Sequence, residues 1–185
     1  MGAILDIIGS IAIRAVIVTL IITLILTLRD AEYERTSIAS TGENLSVGSR
    51  VMERDLKCAG YNVNDTSNVF LIADSQQVKF LGDINNDGTL DIVHYQIGAD
   101  PSGVVNSKVI ARTLNAGFPL YIAKGPVSMK ITYYDSLGNA MNSPITLSKI
   151  LSVSVLLSMK NNYPMNDTLS VTIKREIIVF PANLQ

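Results

Sequence analysis

Cysteine occurs once, at Cys58, histidine once, at His94, and proline not at all before Pro101. A single thiol forms no internal disulfide, so no cysteine framework reports the redox compartment. A single imidazole builds no histidine zinc site, and it completes no catalytic triad without visible Ser and Asp partners. Neither sign of charge is in excess, with 15 basic side chains against 16 acidic ones. The clustered positive charge that grips a phosphate backbone is missing, which argues against nucleic acid as a partner. GxSxG, HExxH, a phosphate-cradling Gly-rich loop and CxxC are all absent. Scattered carboxylates alone do not indicate acid–base work, so the chain is not expected to be an enzyme. Cys58 falls near the C-terminal end of a predicted helix, where the dipole raises a thiol pKa, and reads as a small buried residue.

What is present begins with a long apolar run. The chain has 185 residues, 48% of them hydrophobic, enough for one ordered domain and an appendage. The stretch 11–28, "IAIRAVIVTLIITLILTL", is interrupted by only one charge, Arg14. At about 1.5 Å per residue it spans about 27 Å, close to the ~30 Å hydrocarbon core of a bilayer. Residues 1–28 are therefore read as a transmembrane or filament-core helix. "LRDAEYERT" stands where a small-residue cleavage site would be needed, so an uncleaved anchor is expected. Arg14 at mid-membrane would cost about 2.5–3.5 kcal/mol, which a position near one face relieves by snorkelling. Asp6 is the odder residue, because an ionised carboxylate in an apolar helix calls for a neutralising partner. Either it sits at the interface near the helix dipole, or it pairs with an N-terminal ammonium, its own or a neighbour's.

Past Leu28 the chain turns charged but keeps an apolar stripe at Ala31, Ile38, Leu45, Met52 and Ala59, with Val51 and Leu56 beside it. With no proline to interrupt it, one helix is predicted from about Ala3 to about Ala59, its portion 29–60 amphipathic. Gly42 and Gly48 mark places where it could bend or melt, and Gly60 is a C-cap. From 61 to 185 the pattern is of short strands: "NVFLIA", "QVKFLGD", "LDIVHYQIG", "SKVIARTL", "VSMKITYYD", "ILSVSVLLSM" and "LSVTIKREIIVF". The fold class expected is α+β, a long helix on an antiparallel sheet.

"GDINNDGTLDI" sets Asp83, Asn85, Asp87, the Thr89 carbonyl and Asp91 at the first five ligand positions of a calcium loop, with Gly88 at the turn. The closing position is His94, a poor ligand for a hard cation. The same residues also read as a hairpin, since "NNDG" is good turn chemistry between two strands.

Four stretches in order, "MERDLKCAGYN" (52–62), "VKFLGDINNDGTLDIVHYQIG" (78–98), "VSMKITYYDSLGN" (127–139) and "ITLSKILSVSVLLSM" (145–159), resemble the minor pilins and pseudopilins of type IV pili and type II secretion systems. The resemblance implies a structural subunit of a bacterial pilus-like filament or pseudopilus. It would be held in the cytoplasmic membrane by its N-terminal helix, with the β-rich domain periplasmic or extracellular, and would form cell-surface filaments once assembled. Its partners would be copies of itself or other pilin-like subunits. Pilin precursors carry a short basic leader and a Glu at the fifth mature position; the N-terminus here is expected to be atypical, without that leader, and Asp6 fills the fifth position when the mature chain begins at Gly2. Gly2, Asp6 and Arg14 are the expected assembly residues, and Gly2, Ala3, Gly9, Ser10 and Ala12 would allow close helix approach. The alternative is a membrane-tethered, exported binding or adhesion module, with calcium at the Asp83 loop as its candidate cofactor.

Overall fold

The computed structural model describes residues 2–65, 68–162 and 170–181. One helix, α1 (Gly2–Lys57), precedes β1 (Phe70–Ala73), β2 (Gln77–Gly82), β3 (Asp91–Ala99), β4 (Lys108–Leu114), β5 (Leu120–Gly125), β6 (Val127–Tyr134), β7 (Ser152–Asn162) and β8 (Ser170–Val179). The class is α+β, as the sequence indicated, with antiparallel pairing throughout. Two sheets form where one was expected: a five-stranded meander β1-β2-β3-β4-β5 and a three-stranded sheet β6-β7-β8. Strand β5, "LYIAKG", is missing from the seven stretches picked out above; it is framed by Pro119 and Pro126, which read as loop signals.

The chain divides into two compact units, Met1–Ser40 and Thr41–Gln185. The first is helix alone. Its Ser10, Thr19, Thr23 and Thr27 hydroxyls each donate to a carbonyl one turn back, all at 2.9 Å. These polar atoms are thus satisfied within the helix, as an apolar environment requires.

The second unit holds the core. Leu45, Met52, Leu56 and Ala59 are buried, whereas Ala31 is exposed and Ile38 only half-buried. The heptad stripe is therefore a packing surface from Leu45 onward, and burying each large member stabilises by about 1.5–3 kcal/mol. Facing them are Val78, Phe80, Val93 and Tyr95 from the first sheet and Ile131, Tyr133, Val153 and Val155 from the second. Tyr133 ties the sheets together, its hydroxyl donating to the Asp74 and Gln77 carbonyls at 3.1 and 3.2 Å, and its ring meeting Phe70 edge-on at 6.3 Å.

The expected weak points at Gly42 and Gly48 are not breaks, for α1 runs through both. Gly48 serves packing instead: a Cβ there would lie 2.8 Å from the Ile122 carbonyl oxygen of β5. At the helix end, Gly60 has a φ of 80° and its N–H donates to the Leu81 carbonyl at 2.8 Å. A Cβ on Gly82 would collide with the Cys58 carbonyl, so the end of α1 presses directly on β2.

Candidate functional site

The first candidate is the apolar part of α1. From Ile7 to Leu28 its large side chains are between 47% and 64% exposed, with no face preferentially covered. The helix is long and apolar enough to cross a membrane. A helix apolar all round requires lipid or other helices about it. Gly2, Asp6 and Gly9, spaced i, i+4 and i+7, share one face, and a Cβ on either glycine would meet nothing within 4 Å. The structure thus brings Gly2 and Asp6 together on a smooth strip. Arg14, two turns beyond Asp6, is not part of it.

The second is the β2–β3 loop carrying Asp83, Asn85, Asp87, Thr89 and Asp91. The hairpin reading holds: β2 and β3 pair from Gln77↔Gln96 to Gly82↔Asp91. The buried Asp83 carboxylate accepts from the Asp87 and Gly88 N–H groups at 3.1 and 2.9 Å. Asp91, also buried, accepts from Ile84 N–H at 3.2 Å and from the Asn115 amide at 2.5 Å. Asp87 accepts from the Thr89 N–H at 2.8 Å, from its hydroxyl, and from Asn85 Nδ2 at 2.8 Å. The Thr89 hydroxyl bond comes first among the interactions that hold the Asp87 carboxyl below its ordinary pKa. Asn86 and Gly88 adopt positive φ, and Tyr61 and Asn62 brace the loop from the helix end through Asn86 Oδ1 and the Gly88 carbonyl. Among the described residues no three His, Cys, Asp or Glu side chains are grouped as metal ligands. His94 lies in β3, with Nε2 3.4 Å from Gln77 Oε1, and burial followed by the neighbouring Lys79 lowers its pKa.

Two buried polar clusters were missed in the sequence. Asp55 on α1 accepts from Tyr95 Oη at 2.6 Å and from Arg112 Nε at 2.5 Å. Burial, and then the Asp55 charge, pushes the Tyr95 phenol well above its ordinary pKa, keeping it a neutral donor. Burial is the largest single influence on Arg112 and works against its charge, but the bond to Asp55, the Asp55 charge and Tyr95 together outweigh it and leave that pKa raised. Asp55 stands three residues after buried Met52 and beside buried Leu56, so a charge on the apolar stripe was the available signal. Asp100, between β3 and β4, accepts from Ser102 N–H at 2.9 Å and Ser107 Oγ at 2.7 Å and pairs with Lys124 at 3.2 Å. Cys58 is half-buried, its thiol pKa raised first by burial and then by Asp55.

A half-open groove of about 420 Å³ runs between the sheets, lined by Asp74, Ser75, Lys130, Tyr133 and Met141 among others. No family model matches the chain, and no curated protein or solved structure matches it either.

Proposed function

We propose that the chain is a pilin-like structural subunit of a filament or pseudopilus, without catalytic activity, anchored by α1 and assembling through it with copies of itself or with related subunits. The observation that carries this reading is the uniform exposure of the apolar side chains from Ile7 to Leu28 on a helix whose later turns are built into a folded β domain. A simple anchor has no need of a carboxylate among glycines. In a bundle of such helices, the strip of Gly2, Asp6 and Gly9 permits close approach and gives Asp6 a neighbour's ammonium as its counter-charge. The β domain would then lie on the far side of the cytoplasmic membrane and at the cell surface once assembled.

Electron cryo-microscopy of material sheared from producing cells, with the chain identified in it by mass spectrometry, tests this. Filaments with apolar helices bundled at the centre, lost in Asp6→Ala while the β domain stays folded, are expected. Protein confined to membranes, or normal filament yield from Asp6→Ala, would instead favour a tethered binding module.

A further inference from the structure

Strand β8 is the edge of the second sheet, and the pairing pattern fixes which of its peptide groups face outward. In β6 the Ile131 N–H turns away from β7 and donates to the Ser75 carbonyl at 2.8 Å. The Lys160 N–H of β7 turns toward the β6 side, donating to the Pro126 carbonyl at 2.9 Å. With the register Ile131↔Val155↔Ile177, the odd-numbered peptide groups of β8 therefore bond to β7. Those of Thr172, Lys174, Glu176 and Ile178 point outward, and among the described residues no strand pairs with them.

Open edges are commonly blunted by a proline, a bulge or charge. The β7–β8 register is unbroken and β8 contains no proline, which leaves charge. That charge pattern is self-complementary. In an antiparallel pair of β8 strands centred on Arg175, Lys174 of each copy faces Glu176 of the other, and Thr172 faces Ile178. Sliding the strands by one hydrogen-bonded pair either way sets Lys174 against Lys174 or Glu176 against Glu176, which like-charge repulsion opposes. The two Arg175 side chains meet at the centre on the opposite face. Each donates to Ser46 Oγ of its own helix at 3.3 Å, so their charges are drawn apart.

We propose that β8 is a self-recognition edge, through which two copies of the chain pair antiparallel in the register centred on Arg175. One strand pair buries less than the ~1,200 Å² at which stable interfaces begin, so the contact populates where copies are concentrated, as in a membrane. It uses a surface separate from the α1 strip and does not depend on the assembly reading above.

The test uses the full chain in lipid vesicles, with Cys58→Ser as background. In the proposed pair, residue 175 faces itself at a non-hydrogen-bonded site with Cα atoms about 4.5 Å apart, within disulfide range. Arg175→Cys is expected to give a disulfide dimer on mild oxidation, whereas Leu137→Cys, at a position 83% exposed, is not. Adding Lys174→Glu or Glu176→Lys should lower the dimer yield about tenfold, and adding both to one chain should restore it. Yields equal to the Leu137→Cys control, or no restoration by the double exchange, would overturn the proposal. Adding Asp6→Ala should leave the Arg175→Cys dimer intact; its loss there would make the contact a by-product of helix assembly and overturn β8 as an independent edge.

Discussion

Tyr95 Oη and Arg112 Nε converge on one oxygen of Asp55, at 2.6 and 2.5 Å, in the contact between α1 and the first sheet. Asp55 is 1% exposed, so the carboxylate has almost no water to fall back on and depends on these two donors. Removing one member of such a pair leaves the other charge buried and unmatched, at a cost of about 3–5 kcal/mol. Asp55→Ala is expected to lower stability by that amount in urea unfolding. Tyr95→Phe, which removes a single donor to a charged group, should cost about 1.5–3 kcal/mol. Equal losses from the two would mean that the Arg112 pair contributes nothing.

Gly48 and Gly82 set the closest approaches of α1 to the sheet, and the sign of Gly48→Ala is informative. Helix propensity alone favours alanine by about 1 kcal/mol. The new Cβ, 2.8 Å from a backbone oxygen of β5, opposes it, and overpacking typically costs about 1–3 kcal/mol. Net destabilisation is expected at Gly48, and a larger loss at Gly82, where the obstacle is the Cys58 carbonyl and no helix propensity compensates. A stabilised Gly48→Ala protein would show that helix and strand sit further apart.

The long helix was legible because its signals are local: an apolar run, a stripe of period seven and no proline. Strands such as "MKITYYD" were legible for the same reason, and their alternate residues Met129, Ile131 and Tyr133 are buried. The Asp-rich hairpin showed itself through turn chemistry. What stayed hidden is non-local. Asp55 and Arg112 lie 57 residues apart in sequence, and nothing near either one names the other. The division into two sheets depends on where the chain turns at Gly125 and Pro126, which strand periodicity does not encode. Gly48 carried an ambiguous signal, since the same residue weakens an isolated helix and permits a packed one.

Asp100 predicts an acid-labile element. Its carboxyl is held far below the ordinary value, first by Ser102 and then by Ser107 and Lys124. A depressed folded-state pKa means that the folded form binds the proton less readily than the unfolded chain. The stabilisation is therefore complete above the unfolded value of about 3.9 and is lost as pH falls below it. Asp100→Asn should flatten the stability profile between about pH 4 and pH 2 while changing its slope near neutrality little. An unchanged acid limb in thermal unfolding at graded pH would remove Asp100 from the titrating groups.

The Asp83 loop separates a turn from a metal site by one pair of measurements. As a turn, the Asp83 carboxylate satisfies two backbone N–H groups in a buried position, so Asp83→Ala should cost about 1–3 kcal/mol with no cation present. The carboxylate oxygens of Asp83, Asp87 and Asp91 already accept hydrogen bonds from the loop or its neighbours, and His94 at the closing position lies against Gln77 instead. Calcium binding to the full chain in detergent is therefore expected to be at most weak. Calorimetry with millimolar calcium should give little heat, and the melting temperature should hardly move. A stoichiometric heat that disappears in Asp83→Asn would establish a calcium centre there.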